Sequence, residues 1–387
     1  MRVFLIAGEA SGDKLGAALM AGLKKLAPGV EFLGVGGPEM QAAGLNSLFE
    51  MNELSVMGLV EILPKYRQLK RRIAQTADAI LTETPDVLIT IDSPDFCLRV
   101  AALVKAKSDI RVVHYVAPSV WAWRPGRAVK MARYVDQVLA LLPFEPPLME
   151  AAGMRCDFVG HPVVSEPVVS AQERADFRAT FGLGDAPVIL ALPGSRKGEV
   201  SRLAPIFGQA LELVLRKQPN ARVLVVAASG VVHDVEQGVA DWPGQPIILD
   251  PRDVTLEQGE ARKCTAYGAA DVALAASGTV SLELAAATTP TVVAYKVNWL
   301  TWQIMSRMAK TDTATLTNIV SQTRAVPEFL GPKCQPELIA DAMIALLAQA
   351  PLRERQIAAM QQTMIALGAG GQAPGLRAAQ AVLDGLK

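Results

Sequence analysis

Short apolar runs rich in Val, Ile and Leu recur along the chain, each closed by a turn. In the first half they are Val3–Ala7, Phe32–Val35, Val87–Ile91, Val112–Val116, Val138–Leu142 and Phe158–Val159. Between them, as over Lys14–Leu26 and Ile73–Thr84, apolar positions return every three or four residues, the period of a helix with one buried face. Runs without polar alternation predict strands buried on both faces, and so a parallel sheet covered by helices. The series restarts after residue 166 with Val188–Leu192, Val223–Ala227, Ile247–Leu249, Val272–Ala275 and Val292–Tyr295. Pro162–Pro167 and the polar helical stretch behind it predict a linker. The expectation is an α/β protein of two doubly wound Rossmann-like domains, 1–165 and 166–371, facing a cleft. A last helix over 372–387, after Gly368-Ala369-Gly370-Gly371, is placed as returning to the first domain. Ligands of such sheets bind beyond the carboxyl ends of the strands.

Length and composition narrow this further. At 387 residues the chain is long for one core, so two domains are the natural expectation. Mean hydropathy is high at +0.26, yet no apolar run reaches the ~18–20 residues that span a bilayer. Val3–Ala7 is too short for a signal segment and is followed at once by Glu9 and Asp13. The expected location is cytoplasmic, at a membrane surface. A formal net charge of +0 gives no nucleic-acid footprint. Cys97, Cys156, Cys264 and Cys334 lie far apart, and His114, His161 and His233 fit no metal spacing, so neither a metal nor a cofactor is expected.

Several turns at strand ends carry polar side chains. Gly8-Glu9-Ala10-Ser11-Gly12-Asp13 follows the first strand but is not GxGxxG, and Gly34-Val35-Gly36-Gly37 is in the wrong place for a dinucleotide fingerprint. Glu9, Ser11 and Asp13 would suit sugar hydroxyls or a proton transfer; alternatively Asp13 is a helix N-cap. Asp92 follows Val87–Ile91 without a spacer. Burial there would raise its pKa and make it a general base, with Asp95 as a helix cap. Ala117-Pro118-Ser119-Val120-Trp121-Ala122-Trp123-Arg124 offers Ser119 and Trp121 to a sugar ring or acyl chain, unless the tryptophans are core. Arg124, Arg127, Lys130 and Arg133 follow at spacing three, a solvated face or one that meets anions.

In the second half, Pro193-Gly194-Ser195-Arg196 closes an apolar run, and its backbone N–H groups, Ser195 hydroxyl and Arg196 guanidinium suit a diphosphate. Lys197 and Glu199 are assigned surface or capping roles. Ser277-Gly278-Thr279, with Glu283 a turn later, reads either as a phosphate-binding turn or as an ordinary strand–helix turn with Thr279 at the N-cap. A capping box fits poorly, since Leu282 stands where Glu is wanted. Over 56–73, Leu59, Ile62, Leu63, Tyr66, Leu69 and Ile73 keep helical spacing beside Lys65, Arg67, Lys70, Arg71 and Arg72. That is an interfacial membrane helix or a helix packed on the domain surface, with Pro64 opening a second helical piece.

Taken in order, GEASGD (8–13), VMGLVEIL (56–63), IDSPDF (91–96), APSVWAWR (117–124), LPFE (142–145), FVGHP (158–162), LPGSR (192–196), ASGTVSLE (276–283) and KTD…N (310–318) span nearly the whole chain. The set resembles the lipid-A-disaccharide synthases, metal-independent and membrane-peripheral glycosyltransferases. The resemblance implies a GT-B architecture with the active site between the domains. It implies transfer from UDP-2,3-diacylglucosamine to 2,3-diacylglucosamine 1-phosphate, giving a β-1′,6 linkage and UDP. It further implies Asp92 as base, Ser195 and Arg196 at the nucleotide phosphates, Ser277, Gly278, Thr279 and Glu283 at diphosphate and ribose, and Asn318 in the same site. Tyr66, Leu69, Lys70, Arg71 and Arg72 would join Leu59, Ile62 and Leu63 at an anionic inner-membrane surface, and a homodimer stays open. Cys97, Thr317 and Gly331 depart from the family pattern. A UDP-N-acetylglucosamine 2-epimerase, another UDP-sugar enzyme of the same fold and a non-catalytic nucleotide-sugar module are the rivals.

Overall fold

The computed structural model describes residues 1–54, 59–124 and 126–387, without the side chains of 59–65, 300, 304 and 305. The chain forms two compact units. One comprises Met1–Ser165 and Leu367–Lys387, the other Glu166–Ala366.

The first unit is built on β1 (Arg2–Ala7), β2 (Glu31–Val35), β3 (Asn46–Ser47), β4 (Val87–Ile91), β5 (Arg111–Tyr115), β6 (Gln137–Ala140) and β7 (Arg155–Phe158). These pair in the order β3-β2-β1-β4-β5-β6-β7, all parallel. The second unit contains β8 (Val188–Leu192), β9 (Arg222–Val226), β10 (Ile247–Leu249), β11 (Val272–Ala276), β12 (Thr291–Tyr295) and β13 (Glu328–Leu330). Their order is β10-β9-β8-β11-β12-β13, again parallel throughout. Both units are doubly wound, and both reverse strand order beside their first strand.

Burial on both faces explains the unbroken apolar runs. On β1, Phe4 and Ile6 enter one apolar cluster and Val3, Leu5 and Ala7 the opposite one. On β8, Ile189 and Ala191 face one cluster while Val188, Leu190 and Leu192 face the other. The side-chain period is still two, but neither face meets water.

The structure departs from the expected elements at several places. The edge strands β3 and β13 are too short to show as apolar runs. The first long helix starts at Ala10 rather than Lys14. Leu59–Glu83 is one helix, with Pro64 inside it rather than opening a second piece. Helix Pro374–Leu386 lies against helix Ala10–Leu26 in the first unit. A Cβ on Gly22 would stand 2.6 Å from the Gly375 carbonyl oxygen, and a Cβ on Gly375 would stand 2.6 Å from that of Ala18. Gln137 Nε2 donates to the Ala381 carbonyl at 2.9 Å, and Arg377 Nη2 donates to that of Phe158 at 2.7 Å.

Candidate active site

In the second unit the carboxyl ends of β8, β9, β10 and β11 open into a pocket of about 620 Å³. This is the switch point of the sheet, where β8 and β11 leave in opposite directions and their following loops part. The loop after β8 supplies Ser195 and Arg196, and the loop after β11 supplies Ser277, Gly278 and Thr279, with Glu283 behind them. Six residues singled out from the sequence therefore line one cavity.

Gly194 makes the first loop possible. Its φ is +127°, and a Cβ there would stand 2.6 Å from the Glu199 Cβ. Arg196 begins the helix Lys197–Lys217 in extended conformation, with its side chain 62% exposed. Glu199 is not a surface residue but buried. Its carboxylate accepts from Ser195 N–H at 3.1 Å, from Arg196 Nη1 at 3.4 Å and from the Tyr295 hydroxyl at 3.2 Å. It thus braces the loop from below, a capping role.

The second loop has no side-chain cap: Thr279 occupies the N-cap position in αR conformation without capping the helix Val280–Ala286. A Cβ on Gly278 would meet nothing within 4 Å, so this turn is open to the pocket. Glu283 carries an ion pair with Lys263 at 3.3 Å, and Lys263 pairs with Glu260 at 2.9 Å. Arg262, also at the pocket wall, donates to the Asp250 carbonyl. Lys263, Glu260 and Arg262 carry no sequence signal beyond their common helix, Leu256–Ala269.

Asn318 does not join this pocket. It is fully buried, donating to the Val326 carbonyl at 2.9 Å and accepting from Val326 N–H at 3.0 Å. It ties two segments of the second unit together, a structural role the motif alone does not distinguish from binding. The three departures from the family pattern are similarly structural. Thr317 donates to the Ser281 carbonyl at 3.1 Å, Cys97 is core, and Gly331 (φ +56°) lies against the Trp302 ring, where a Cβ would meet it at 2.3 Å.

The first unit has its switch point between β1 and β4, and there the Gly8 loop meets Ser93, the residue after Asp92. A Cβ on Gly8 would stand 2.5 Å from Ser93 Oγ. Asp92 and Ser93 are consecutive residues at positive φ, +48° and +42°. Left-handed backbone is rare outside glycine and marks sites where surrounding structure holds strain. Burial raises the Asp92 pKa from its ordinary value, partly offset by the backbone N–H of Ser93. Nearby, Val116 after β5 has φ +85°, an outlier for a β-branched residue.

Asp13 is neither at the surface nor the cap of its own helix. It is 2% exposed, and its carboxylate accepts from the backbone N–H of Gly37 (2.8 Å), Glu39 (2.9 Å) and Met40 (3.1 Å), holding the N-terminus of the helix Pro38–Ala42. Glu9 is partly buried at the start of its helix, and Ser11 is exposed. Ser119 is exposed; Trp121 is half-buried, edge-on to Phe144, and donates its indole N–H to Glu145 at 3.3 Å. Desolvation lifts that buried carboxyl to about 7, against the opposing hydrogen bonds from Leu142 and Trp121. Exposed Trp123 lies under Arg124 and Arg127 at 4.3 and 5.3 Å.

The side chains of Leu59, Ile62 and Leu63 lie outside the described residues. Tyr66 is 51% exposed, Lys70 and Arg71 are exposed and Leu69 is half-buried. Arg72 is instead committed within the unit, ion-paired with Glu53 at 2.5 Å and stacked 4.4 Å over Phe49. No helix among the described residues is long and apolar enough to cross a membrane. Among the same residues no three His, Cys, Asp or Glu side chains converge as a metal cluster.

Two doubly wound units of this kind define the class: a two-domain Rossmann-like fold of the GT-B type. Solved structures share it. A UDP-GlcNAc 2-epimerase from Neisseria meningitidis, bound to UDP-GlcNAc, superposes with a TM-score of 0.67 at 12% identity, covering 100% of this chain and 99% of its own. A Methanocaldococcus jannaschii UDP-GlcNAc 2-epimerase superposes at 0.58 with 13% identity, covering 99% of each chain. At such identities the likeness is one of fold alone. The family profile described as lipid-A-disaccharide synthetase matches residues 3–375. A lipid-A-disaccharide synthase of Ruegeria pomeroyi is 64% identical over 100% of this chain and 96% of the relative, and one of Rhodospirillum centenum is 45% identical over 99% and 94%. The chain belongs to the lipid-A-disaccharide synthase family. It is accordingly an enzyme, a glycosyltransferase of lipid A biosynthesis.

Proposed function

We propose that the second unit binds UDP-2,3-diacylglucosamine and that Asp92 of the first unit activates 2,3-diacylglucosamine 1-phosphate in a single inverting displacement. The observation that carries this is the convergence of the 194–199 and 277–283 segments on one pocket at a switch point. The pocket holds what a nucleoside diphosphate needs: open backbone turns, hydroxyls and an exposed guanidinium at Arg196, with the Glu283 carboxylate for ribose hydroxyls.

Asp92 then takes the proton of the acceptor's 6-hydroxyl as that oxygen attacks the anomeric carbon. The C1–O bond to UDP breaks, and the α-linked donor becomes a β-linked product. Negative charge grows on the departing diphosphate, so Arg196 contributes most in the transition state. Asp92 suits the role through its raised pKa, which brings the base nearer the working pH. Asp13 suits it poorly, because its carboxylate already accepts three backbone N–H groups.

Glu9, Ser11, Ser119 and Trp121 are assigned to the acceptor. Tyr66, Leu69, Lys70 and Arg71 are assigned to an anionic membrane face, with the enzyme peripheral to the cytoplasmic side of the inner membrane. The test is UDP release from the diacyl UDP-sugar mixed with the diacyl sugar phosphate, with and without EDTA. Acceptor-dependent release that survives EDTA supports the reading. Turnover of the UDP-sugar without acceptor would indicate an epimerase, and UDP-sugar binding with no release a non-catalytic module.

A further inference from the structure

The helix Leu256–Ala269 lays one face along the nucleotide pocket. Glu260, Lys263 and Tyr267, three and four residues apart, all line it. Lys263 stands between two carboxylates, 2.9 Å from Glu260 and 3.3 Å from Glu283. The Tyr267 side chain, 4% exposed, lines the same pocket as Glu283. Helix capping fixes the start of this face: Thr255 and Gln258 form a reciprocal capping box.

We infer that Lys263 is a positioning residue for nucleotide recognition, holding the Glu283 carboxylate in the one orientation that meets the ribose hydroxyls of the bound nucleoside diphosphate. The inference rests on the assignment of this pocket to the UDP-sugar and adds the device that makes Glu283 selective. Glu283 lies on a short helix, has three rotatable bonds and a side chain 34% exposed; left alone it would sample several rotamers. Lys263 holds its carboxylate at 3.3 Å, and Glu283 borders the pocket from there. Lys263 has a second effect on the same ligand. Glu260 and Glu283 both border a cavity that must admit a diphosphate, and the ammonium between them offsets one of the two negative charges. Burial by itself would lower the Lys263 pKa, but the two carboxylates outweigh it and raise it. The ammonium therefore stays charged across the working range.

Two effects of one side chain separate by ligand. Calorimetric titration with UDP and with 2′,3′-dideoxy-UDP reads the orientation of Glu283 through the difference between the two, because both carry the same diphosphate. In the wild type, loss of the hydroxyls weakens binding by about tenfold to hundredfold, as for hydrogen bonds to a charged group. Lys263→Met is expected to weaken UDP binding and to reduce that hydroxyl discrimination to within about threefold of unity. Lys263→Arg restores most of it. In steady state Lys263→Met raises KM for the UDP-sugar with kcat little changed. Full hydroxyl discrimination in folded Lys263→Met, whatever its absolute affinity, overturns the inference; so does failure of Lys263→Arg to rescue. Should Lys263→Met not fold, Lys263→Gln takes its place, with circular dichroism confirming the fold and the same two ligands deciding. Wild-type protein that binds UDP no better than inorganic phosphate would instead overturn the assignment of the pocket.

Discussion

Asp92 occupies a backbone region that a carboxylate seldom adopts, at the end of a fully buried strand, and desolvation raises its pKa. A base with that environment gives an acid limb in kcat/KM shifted upward from that of a solvated carboxylate. Asp92→Asn is expected to lower kcat by about 10²–10⁴ and to remove that limb. Near-normal turnover with an unchanged pH profile would assign the base elsewhere. Glu145 makes a prediction about stability rather than rate. Its carboxyl lies at about 7 in the fold against 4.5 for the free group, because burial disfavours the charged form. Below about 4.5 folded and unfolded chains both hold the proton. Between about 4.5 and about 7 only the folded chain does, so stability falls as pH rises through that window. The loss is on the order of 1–3 kcal/mol. Urea midpoints across pH 4–8 should show the slope in the wild type and a shallower one in Glu145→Gln; parallel curves would refute it. Asp92 and Arg196 are legible as candidates because each follows an apolar run at a turn, and Glu283 because it lies one helical turn behind such a turn. Lys263 carried no signal and Glu199 only that of a surface or capping residue, since both lie on helix faces and act through contacts with residues up to 96 positions away. Asp13 and Asn318 bind backbone groups, and a carboxylate or amide that does so carries the same sequence signature as one that binds a sugar.

Buried strands were the most legible elements, since a parallel strand covered on both faces needs an uninterrupted apolar run. Val87–Ile91 and Val188–Leu192 coincide with β4 and β8. Edge strands β3 and β13 escaped for the opposite reason: two or three residues paired on one side need no such run, and the edge strand β10 shows only because its three residues are all apolar. Proline misled at position 64, because its local preference to start a helix yielded to a continuous helix over Leu59–Glu83. Helix contacts were invisible until the glycines could be placed. Gly22 and Gly375 let helix Pro374–Leu386 approach helix Ala10–Leu26 to backbone contact, which places Ala378, Ala379 and Val382 in the core of the first unit. Gly22→Val inserts a Cβ bearing two methyl groups where even the Cβ meets a carbonyl oxygen at 2.6 Å. The expected cost is about 2–3 kcal/mol, seen as a lower urea midpoint, and the 368–373 segment should become sensitive to protease. Unaltered stability would mean that the C-terminal helix contributes little to this unit.

At the scale of the molecule the same design occurs twice, each time with polar groups gathered where the strand order reverses. Sequence periodicity displays the repetition, and the return of the last helix makes the second unit an insertion in the first, which the chain leaves at Ser165 and re-enters at Leu367. Insertion gives the proposed nucleotide site a testable independence, because every residue lining it falls between Leu192 and Glu283, inside Glu166–Ala366. A ligand that binds only folded protein stabilises it by RT ln(1 + [L]/Kd), about 2.7 kcal/mol at a hundredfold excess over Kd. That free energy acts on whichever openings destroy the site. Amides of β8 and β11 exchange through openings of the second unit, and UDP should slow them roughly a hundredfold, with the largest effect in 194–199 and 276–283. Amides of β1 and β4 exchange through openings of the first unit that leave the pocket intact, and UDP should leave their rates within about twofold. Hydrogen exchange measured with and without UDP separates these cases. Equal slowing in β1 and β8 would show that the two units open together, or that the nucleotide engages both, and a site confined to the second unit would then no longer account for binding.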